Sequence, residues 1–128
     1  MRLLTDTHAL IWWWTGSDRL SVVAREAMAD PANVVFASAL CAWEIASKVR
    51  IGKLPEMADQ ISRYGALIDA AGFTNLPLGH EQALLAARLP GDHRDPIDRL
   101  IAAQAIENDL TVVTKDAEFA GFGCKVMW

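Results

Sequence analysis

The sequence predicts one α/β domain built around a mostly parallel sheet. Short apolar runs of strand length alternate with stretches of helical spacing, which is the pattern of a sheet covered by helices. At 128 residues, with 52% hydrophobic and 22% charged residues, the chain is long enough to bury a core and too short to divide into two domains. Residues 1–128 contain no internal repeat and no linker. We therefore expect a single domain.

Capping and turn residues mark where each predicted element begins and ends. Ser21, Ser38 and Asp95 are suited to be helix N-caps, and Gly or Pro residues end most of the helices. Pro77 makes its strand short or places it at a sheet edge. The predicted strands span residues 2–7, 34–37, 73–78, 110–114 and 125–128, and the predicted helices span residues 8–14, 21–30, 38–50, 56–71, 79–89, 95–108 and 116–119.

Hydropathy and cysteine usage exclude several classes of protein. No apolar run approaches the ~20 residues that a helix needs to cross a bilayer, and the first residues lack the layout of a signal peptide. We therefore expect a soluble, cytoplasmic protein with no membrane partner. Cys41 and Cys124 lie far apart and form no Cys/His cluster, which argues against structural zinc and a disulfide framework. Two buried thiols are expected instead.

Carboxylates follow several of the predicted strands. The net charge of −4 argues against a nucleic-acid-binding protein, unless several acids converge on one cation. Asp6 ends the first strand, Glu44 lies in the helix after the second, and Asp116 follows the fourth by two residues. Asp95 and Asp98 begin the helix that leads into that fourth strand. Because ligands of parallel sheets bind beyond the carboxyl ends of the strands, these acids are candidates for one site.

Each of these acids also has a purely structural explanation. Asp95 is suited to cap its helix, and Asp116 is suited to start a short turn. Glu44 can pair with Lys48 four residues later. Asp6 is the hardest to explain in this way, because an acid directly after a buried apolar run is costly without a partner.

The clustering of carboxylates would itself favour a bound cation. Two carboxylates ~4–5 Å apart repel by roughly 3–4 kcal/mol at an effective dielectric constant near 20, so such a cluster is partly protonated or binds a cation. Ligands that are all oxygen select hard cations such as Mg²⁺ or Mn²⁺. A carboxylate-held ion of this kind activates a water molecule and binds a phosphate oxygen. The acids therefore indicate metal-dependent hydrolysis of phosphodiesters.

A resemblance to a known family runs nearly from end to end of the chain. Its motifs are Leu3-Leu4-Thr5-Asp6-Thr7-His8, Trp43-Glu44-Ile45 with Lys48 and Gly52-Lys53-Leu54, His93-Arg94-Asp95-Pro96-Ile97-Asp98-Arg99 with Ala102-Ala103-Gln104-Ala105, and Thr114-Lys115-Asp116 with Phe119 and Trp128. In this ordered set the sequence resembles the PIN-domain ribonucleases of the VapC toxin type. Each motif alone is weak, and the set together is specific.

The resemblance implies a fold, an activity and a set of partners. The fold is a Rossmann-like PIN domain, an α/β/α sandwich around a mostly parallel sheet. The activity is that of a Mg²⁺- or Mn²⁺-dependent endoribonuclease, which hydrolyses RNA with metal-activated water. The partners are a second copy of the chain, in a homodimer, and a small cognate antitoxin whose C-terminal segment covers the active site.

The resemblance also implies roles for individual acids. Asp6 and Asp98 match the metal ligands of the family, and Glu44 and Asp116 complete the acidic quartet of the catalytic site. Asp95 matches an auxiliary acid close to the site. No acidic position of the family pattern is lost, although Cys41 replaces a common Ser.

Basic residues near the acids are candidates for binding the RNA backbone, since phosphate contacts need positive charge. Arg94 and Lys115 are the foremost candidates. Arg99 and Lys48 also fit ion pairs within their helices, so we rank them lower, together with Arg50 and Lys53. His93 is more consistent with a solvated loop residue than with a proton donor.

Three consecutive tryptophans, Trp12 to Trp14, cannot all face the core of one helix, because they span about 200–300°. Tryptophan is enriched in the cores of interfaces. We therefore expect at least one of these rings to be exposed or to contact the dimer partner or the antitoxin.

Two other functions fit parts of the sequence. One is a catalytically silent PIN fold that only binds RNA or protein, against which the complete acidic set argues. The other is a phospho-receiver domain, which would need paired acids after the first strand and an Asp after the middle strand. Only Asp6 follows the first strand, and no Asp follows residues 34–37.

Overall fold

A five-stranded parallel sheet organises the chain. The computed structural model describes residues 1–91 and 95–128. Neighbouring strands are parallel throughout, in the order β3-β2-β1-β4-β5. The strands are β1 Arg2–Thr5, β2 Val34–Ser38, β3 Thr74–Leu76, β4 Thr111–Val113 and β5 Lys125–Met127. The predicted α/β class is confirmed. The order 3-2-1-4-5 also differs from the 2-1-3-4-5 order of receiver-type folds.

Helices connect the strands, and most begin where their capping residues predict. Ser21 accepts a hydrogen bond from the backbone of Ala24 at 3.0 Å, and Ser38 accepts one from Leu40 at 3.1 Å. Among the described residues, no helix is both long and apolar enough to cross a membrane. The helices are α1 Thr7–Thr15, α2 Val22–Ala29, α3 Ala39–Arg50, α4 Ala58–Ser62, α5 Tyr64–Ala70, α6 His80–Arg88, α7 Pro96–Glu107 and α8 Glu118–Gly121, with a 3-10 turn at Pro55–Met57.

The core lies around the two central strands. Leu3 and Leu4 of β1 and Val112 and Val113 of β4 have no exposed surface, which explains why both strands read as unbroken apolar runs. The helices contribute small and branched apolar side chains to the same cluster, namely Ala9, Leu10, Cys41, Ile45, Ile101, Ala102 and Ala105.

The prediction of one long helix over residues 56–71 is wrong. The segment forms a 3-10 turn and two short helices, α4 and α5, which break at Arg63 with φ −120° and ψ 22°. The Ser62 hydroxyl donates to the carbonyl oxygen of Asp59 at 2.6 Å. Such local side-chain bonds compete with the helical ladder, and the apolar periodicity of the segment does not register them.

None of Trp12 to Trp14 belongs to the exposed class, and whether a dimer partner or antitoxin contacts them stays a prediction. All three side chains are half-buried and contact rings of their own chain. Their ring centroids lie 5.7 Å from Trp128, 5.4 Å from Phe73 and 5.4 Å from Tyr64, respectively. Aromatic residues distant in the sequence therefore cover three directions of α1, which helical spacing alone does not reveal. The exposed tryptophan is Trp43, at 62%.

The buried side-chain amide of Gln104 forms hydrogen bonds to several of the elements that surround the site. Gln104 of α7 has no exposed surface and accepts a hydrogen bond from the hydroxyl of Ser38 at 2.6 Å. Its amide nitrogen donates to the carbonyl oxygens of Leu76 and Pro77, at 3.4 and 3.2 Å. Because Ser38 begins α3 and Leu76 ends β3, this one side chain holds α7 against the carboxyl ends of β2 and β3.

Candidate active site

Asp6 occupies the centre of the carboxyl edge of the sheet. It directly follows β1, which lies between β2 and β4. Its Oδ1 accepts a hydrogen bond from the backbone of Ala9 at 2.7 Å, which makes Asp6 the N-cap of α1. Its Oδ2 accepts a hydrogen bond from the hydroxyl of Thr114 at 2.6 Å. Asp6 thus has a structural role as well, and both carboxylate oxygens are held in place.

The environment of Asp6 disfavours its charged form. Only 5% of the residue is exposed, and this burial raises the pKa of its carboxyl group. The hydrogen bonds from Thr114 and Ala9 and the charge of His8 oppose the rise, whereas the charge of Asp116 adds to it. None of the ion pairs among the described residues involves Asp6. A cation bound beside Asp6 would favour the charged form of this carboxyl group and oppose the rise of its pKa.

Thr114 connects Asp6 to Asp116. The hydroxyl oxygen of Thr114 accepts a hydrogen bond from the backbone nitrogen of Asp116 at 2.9 Å while its proton goes to Asp6. Asp116 itself is exposed, and its Oδ1 accepts from the backbone of Glu118 at 2.9 Å. The two acids thus come together at the ends of β1 and β4, and Asp116 also starts its turn.

Glu44 approaches the same edge from α3. Its side chain is 15% exposed and lies 3.3 Å from the Lys48 ammonium, so the pairing expected within the helix is present. One turn earlier on α3, the buried Cys41 accepts a hydrogen bond from Thr7 at 3.5 Å. Burial, and then the charges of Asp6 and Glu44, raise the pKa of the Cys41 thiol to about 12. Cys41 is therefore a neutral packing residue that lies near both acids.

Asp95 and Asp98 lie at the start of α7. Asp95 accepts a hydrogen bond from the backbone of Ile97 at 2.9 Å, so it caps the helix as its sequence context predicts. Asp98 is half-buried in the first turn. Because α7 leads into the amino end of β4, its first turn lies toward the carboxyl edge of the sheet. Asp98 stands six residues, or about 9 Å of helix, before Gln104.

A comparison with protein families decides what this arrangement is. A family model described as PIN domain matches residues 3–123. The chain belongs to the PIN-domain family. The resemblance that its motifs predict is thereby confirmed, and the receiver alternative is excluded.

Individual relatives of this PIN domain agree with the family match. Ribonuclease VapC22 of Mycobacterium tuberculosis (strain ATCC 25618 / H37Rv) is 30% identical over 117 residues, which cover 89% of this chain and 86% of that protein. This similarity confirms the resemblance to the VapC type.

Solved structures share the fold. FitAcB from Neisseria gonorrhoeae has a TM-score of 0.72 and 24% identity, over 98% of this chain and 96% of that chain. VapBC2 from Rickettsia felis, solved bound to a DNA fragment from their promoter, has a TM-score of 0.71 and 17% identity, over 99% and 98%.

The donor chemistry of this PIN domain fits a hard cation. Within residues 1–91 and 95–128, no three His, Cys, Asp or Glu side chains are arranged to hold a metal ion by themselves. Mg²⁺ does not require such a cage, because it commonly binds one or two carboxylates and completes its shell with water and substrate phosphates. Asp6 and Asp116 lie close together, as two carboxylates of this kind would. That Asp6 and Asp98 hold an ion, with Glu44 and Asp116 completing the pocket, stays a prediction.

The predicted RNA-binding cations divide into three groups. Lys115 is exposed beside Asp116, and Arg50 and Lys53 are exposed near the end of α3. Arg99 donates to the carbonyl oxygens of Ala86, Leu89 and Gly91, so it supports the end of α6. Arg94 and His93 lie outside the described residues.

Thr114 is a site residue that its sequence pattern does not single out. Its position in the motif Thr114-Lys115-Asp116 marks the end of a strand, but no pattern says that its hydroxyl reaches Asp6. A small hydroxyl residue two positions before a strand-end acid is the signal that would have found it. Gln104 likewise belongs to the motif Ala102-Ala103-Gln104-Ala105, but the sequence does not predict its hydrogen bonds.

Proposed function

We propose that this PIN domain is a Mg²⁺- or Mn²⁺-dependent endoribonuclease that acts as the toxin of a toxin-antitoxin pair. The observation that carries the proposal is the carboxylate of Asp6, which is buried beside Asp116 at the carboxyl edge of the sheet and makes no ion pair within residues 1–91 and 95–128. Membership of the PIN-domain family and similarity to Ribonuclease VapC22 support RNA as the substrate.

The acids would have two roles, which are binding the ion and completing the pocket around it. Asp6 and Asp98 would hold it, and Glu44 and Asp116 would complete the negative pocket. When bound, the ion lowers the pKa of a water molecule and neutralises charge on a phosphate oxygen. The hydrogen bonds from Ala9 and Thr114 orient the two oxygens of Asp6 before any ion arrives, and such preorganisation reduces the cost of binding.

The cations outside this pocket would bind the RNA backbone. Lys115 is exposed beside Asp116, where a positive charge can contact a phosphate next to the reacting one. Arg94 has the same proposed role. Asp95 has an auxiliary one, because it positions the first turn of the helix that carries Asp98.

The proposal extends to the partners of the protein. Similarity to the VapC type supports a small cognate antitoxin whose C-terminal segment covers the active site. We further propose that the protein forms a homodimer and acts in the cytoplasm, where its RNA substrate is found.

Cleavage of a mixed pool of structured RNA by the antitoxin-free protein tests this function. The reaction is run with Mg²⁺, with Mn²⁺ and with EDTA, for the wild type and for Asp6→Asn and Asp98→Asn. Asp69→Asn, on the exposed side of α5, is the matched control. We expect discrete metal-dependent cuts that persist in the control and disappear in both site variants, with circular dichroism showing that all variants fold.

The competing function is that of a silent PIN fold. Folded wild-type protein that cuts no RNA, and that binds neither Mn²⁺ nor Mg²⁺ in a calorimeter, would favour it and refute the nuclease. Cuts that survive in Asp6→Asn and Asp98→Asn would instead trace the activity to a contaminant.

A further inference from the structure

A cleft beside the acidic site has no role in the proposed reaction. It is a cavity of about 540 Å³ between α1 and the segments that follow α1 and α3. The side chains that characterise it are His8, Trp12, Arg19, Lys48, Lys53 and Glu56.

The cleft is lined in part by residues that are close in sequence to the acids of the site or in contact with them. His8 lies two residues after Asp6, near enough for its charge to lower the pKa of that carboxyl group. On the opposite wall, Lys48 lies 3.3 Å from Glu44. Residues 8, 12 and 15 of α1 line the cleft. They share one helical face, so this wall of the cleft is about 10 Å long, measured from His8.

The lining is cationic in an acidic protein. Arg19, Lys48 and Lys53 face one carboxylate, that of Glu56, whereas the whole chain has a net charge of −4. Lys48 is paired with Glu44. In the described part of the chain, no carboxylate pairs with Arg19 or Lys53. These two cations suit a polyanion that continues beyond the acidic site.

One wall also presents an aromatic ring. Trp12 is half-buried, with its centroid 5.7 Å from Trp128 in an edge-on arrangement and 5.5 Å from His8. These contacts hold the indole in one orientation, and part of it still lines the cleft. An aromatic surface beside phosphate-binding cations is how proteins bind unpaired bases, because a base in a duplex has no free face to stack.

We propose that this cleft is a subsite for the single-stranded RNA that flanks the scissile bond, in which Arg19 and Lys53 bind phosphates and Trp12 contacts a base. The inference rests on the proposed ribonuclease function. It would explain why such a ribonuclease prefers unpaired RNA as its substrate. An acidic peptide would match the cations but would make little use of the indole.

Binding of a short, unstructured, fluorescently labelled oligoadenylate tests the subsite without any cleavage. Fluorescence anisotropy is measured on the full chain in EDTA over a series of salt concentrations, for Arg19→Gln and Lys53→Gln. Each lost phosphate contact should lower the slope of log affinity against log salt by about 0.7, which is about fivefold in affinity at 0.1 M salt. Arg88→Gln and Lys125→Gln remove exposed cations outside the cleft and should leave the slope unchanged.

Trp12 is tested separately, because its ring also packs against Trp128. Trp12→Leu should weaken oligoadenylate binding about fivefold or more without changing the salt slope, and Trp12→Phe should restore most of the affinity. A purely structural role would instead lower the thermal midpoint of Trp12→Leu while the folded protein kept its affinity.

The outcomes separate this proposal from the nuclease itself. If Arg19→Gln, Lys53→Gln and Trp12→Leu all bind oligoadenylate like the wild type, the subsite is refuted, even for a protein that cuts RNA. If the wild type binds a poly-glutamate peptide through Arg19 and Lys53 but does not bind oligoadenylate, the cleft is a peptide site and the proposal is also refuted. If the variants lose oligoadenylate binding although the wild type cuts no RNA and binds neither Mn²⁺ nor Mg²⁺, the cleft stands as a binding site for single-stranded RNA and the nuclease is refuted.

Discussion

The hydroxyl of Thr114 lies 2.6 Å from Oδ2 of Asp6 and donates a hydrogen bond to it across 108 positions of the sequence. The same hydroxyl oxygen accepts from the backbone of Asp116. One small side chain therefore sets the orientation of the central acid and the start of the turn that carries a second acid. Asp6 is thus oriented by hydrogen bonds from neutral groups, and within residues 1–91 and 95–128 it makes no ion pair.

Thr114→Val tests this role, because valine has nearly the same shape and no hydroxyl. We expect RNA cleavage to fall about 10–100-fold, as is usual when a residue that orients a metal ligand is lost. Thr114→Ser should keep most of the activity. Thr111→Val, at the other end of β4, is the control for a change of Thr to Val on this strand. Equal activity in Thr114→Val and Thr111→Val would show that the hydroxyl does not act on Asp6.

The raised pKa of Asp6 predicts how stability depends on pH in metal-free protein. Below the ordinary value of 3.8 the carboxyl group is protonated in both the folded and unfolded states, so its ionisation does not affect stability. As the pH rises through the folded-state pKa of Asp6, the free energy of unfolding decreases. The reason is that burial opposes ionisation of this carboxyl group in the folded state and not in the unfolded state. Asp6→Asn, which cannot ionise, should therefore unfold at a higher temperature than the wild type at pH 7.

Thermal unfolding in EDTA at several pH values measures this difference. The advantage of Asp6→Asn should be full at neutral pH and should shrink as the pH is lowered toward 3.8. Asp69→Asn is the exposed control and should show no such trend. An advantage that is the same at every pH would mean that ionisation of Asp6 is not its cause.

Metal binding should raise the stability of the folded protein. At a tenfold excess over its dissociation constant, Mn²⁺ should add about 1.4 kcal/mol to the free energy of unfolding, or about 5 °C for a chain of this size. The shift should persist in Asp69→Asn and disappear in Asp6→Asn. Scanning calorimetry with and without Mn²⁺ measures it, and a shift of equal size in Asp6→Asn would place the ion elsewhere.

The packing of the tryptophans predicts which of them stabilises the monomer. The Trp13 ring lies 5.4 Å from Phe73 and 6.0 Å from the guanidinium of Arg25, so Trp13→Leu should cost about 2–3 kcal/mol. Trp43 is 62% exposed, so Trp43→Leu should change stability by no more than about 0.5 kcal/mol. Urea unfolding of dilute protein measures both. A larger cost for Trp43→Leu would indicate that a second chain covers it.

Local patterns were sufficient for most elements of this fold. Apolar runs bounded by Gly, Pro and capping residues predicted all five strands, and Ser21, Ser38 and Asp95 cap the helices that they were expected to cap. These signals act over a few residues, so they do not depend on the rest of the chain. Residues 56–71 show where this reasoning fails, since the break at Arg63 accompanies a hydrogen bond from Ser62 that apolar spacing does not register.

The candidate site was predicted in part. The rule that parallel strands present ligands at their carboxyl ends selected Asp6 and Asp116, and the motifs of the family ranked the remaining acids. Neither could select Thr114 or Gln104, because each acts through a hydrogen bond to a residue on a distant segment. The spacing of residues within one segment carries no information about such a partner.

Residue types and local spacing thus specify the elements, their caps and the family of this protein, because each of these depends on short-range conformational preferences or on an ordered set of motifs. The strand order β3-β2-β1-β4-β5 is decided by the tertiary structure. So are the internal contacts of Trp12, Trp13 and Trp14 and the cationic cleft that extends from His8. Each of these arises where segments far apart in the chain pack together, and only the folded chain brings their side chains into contact.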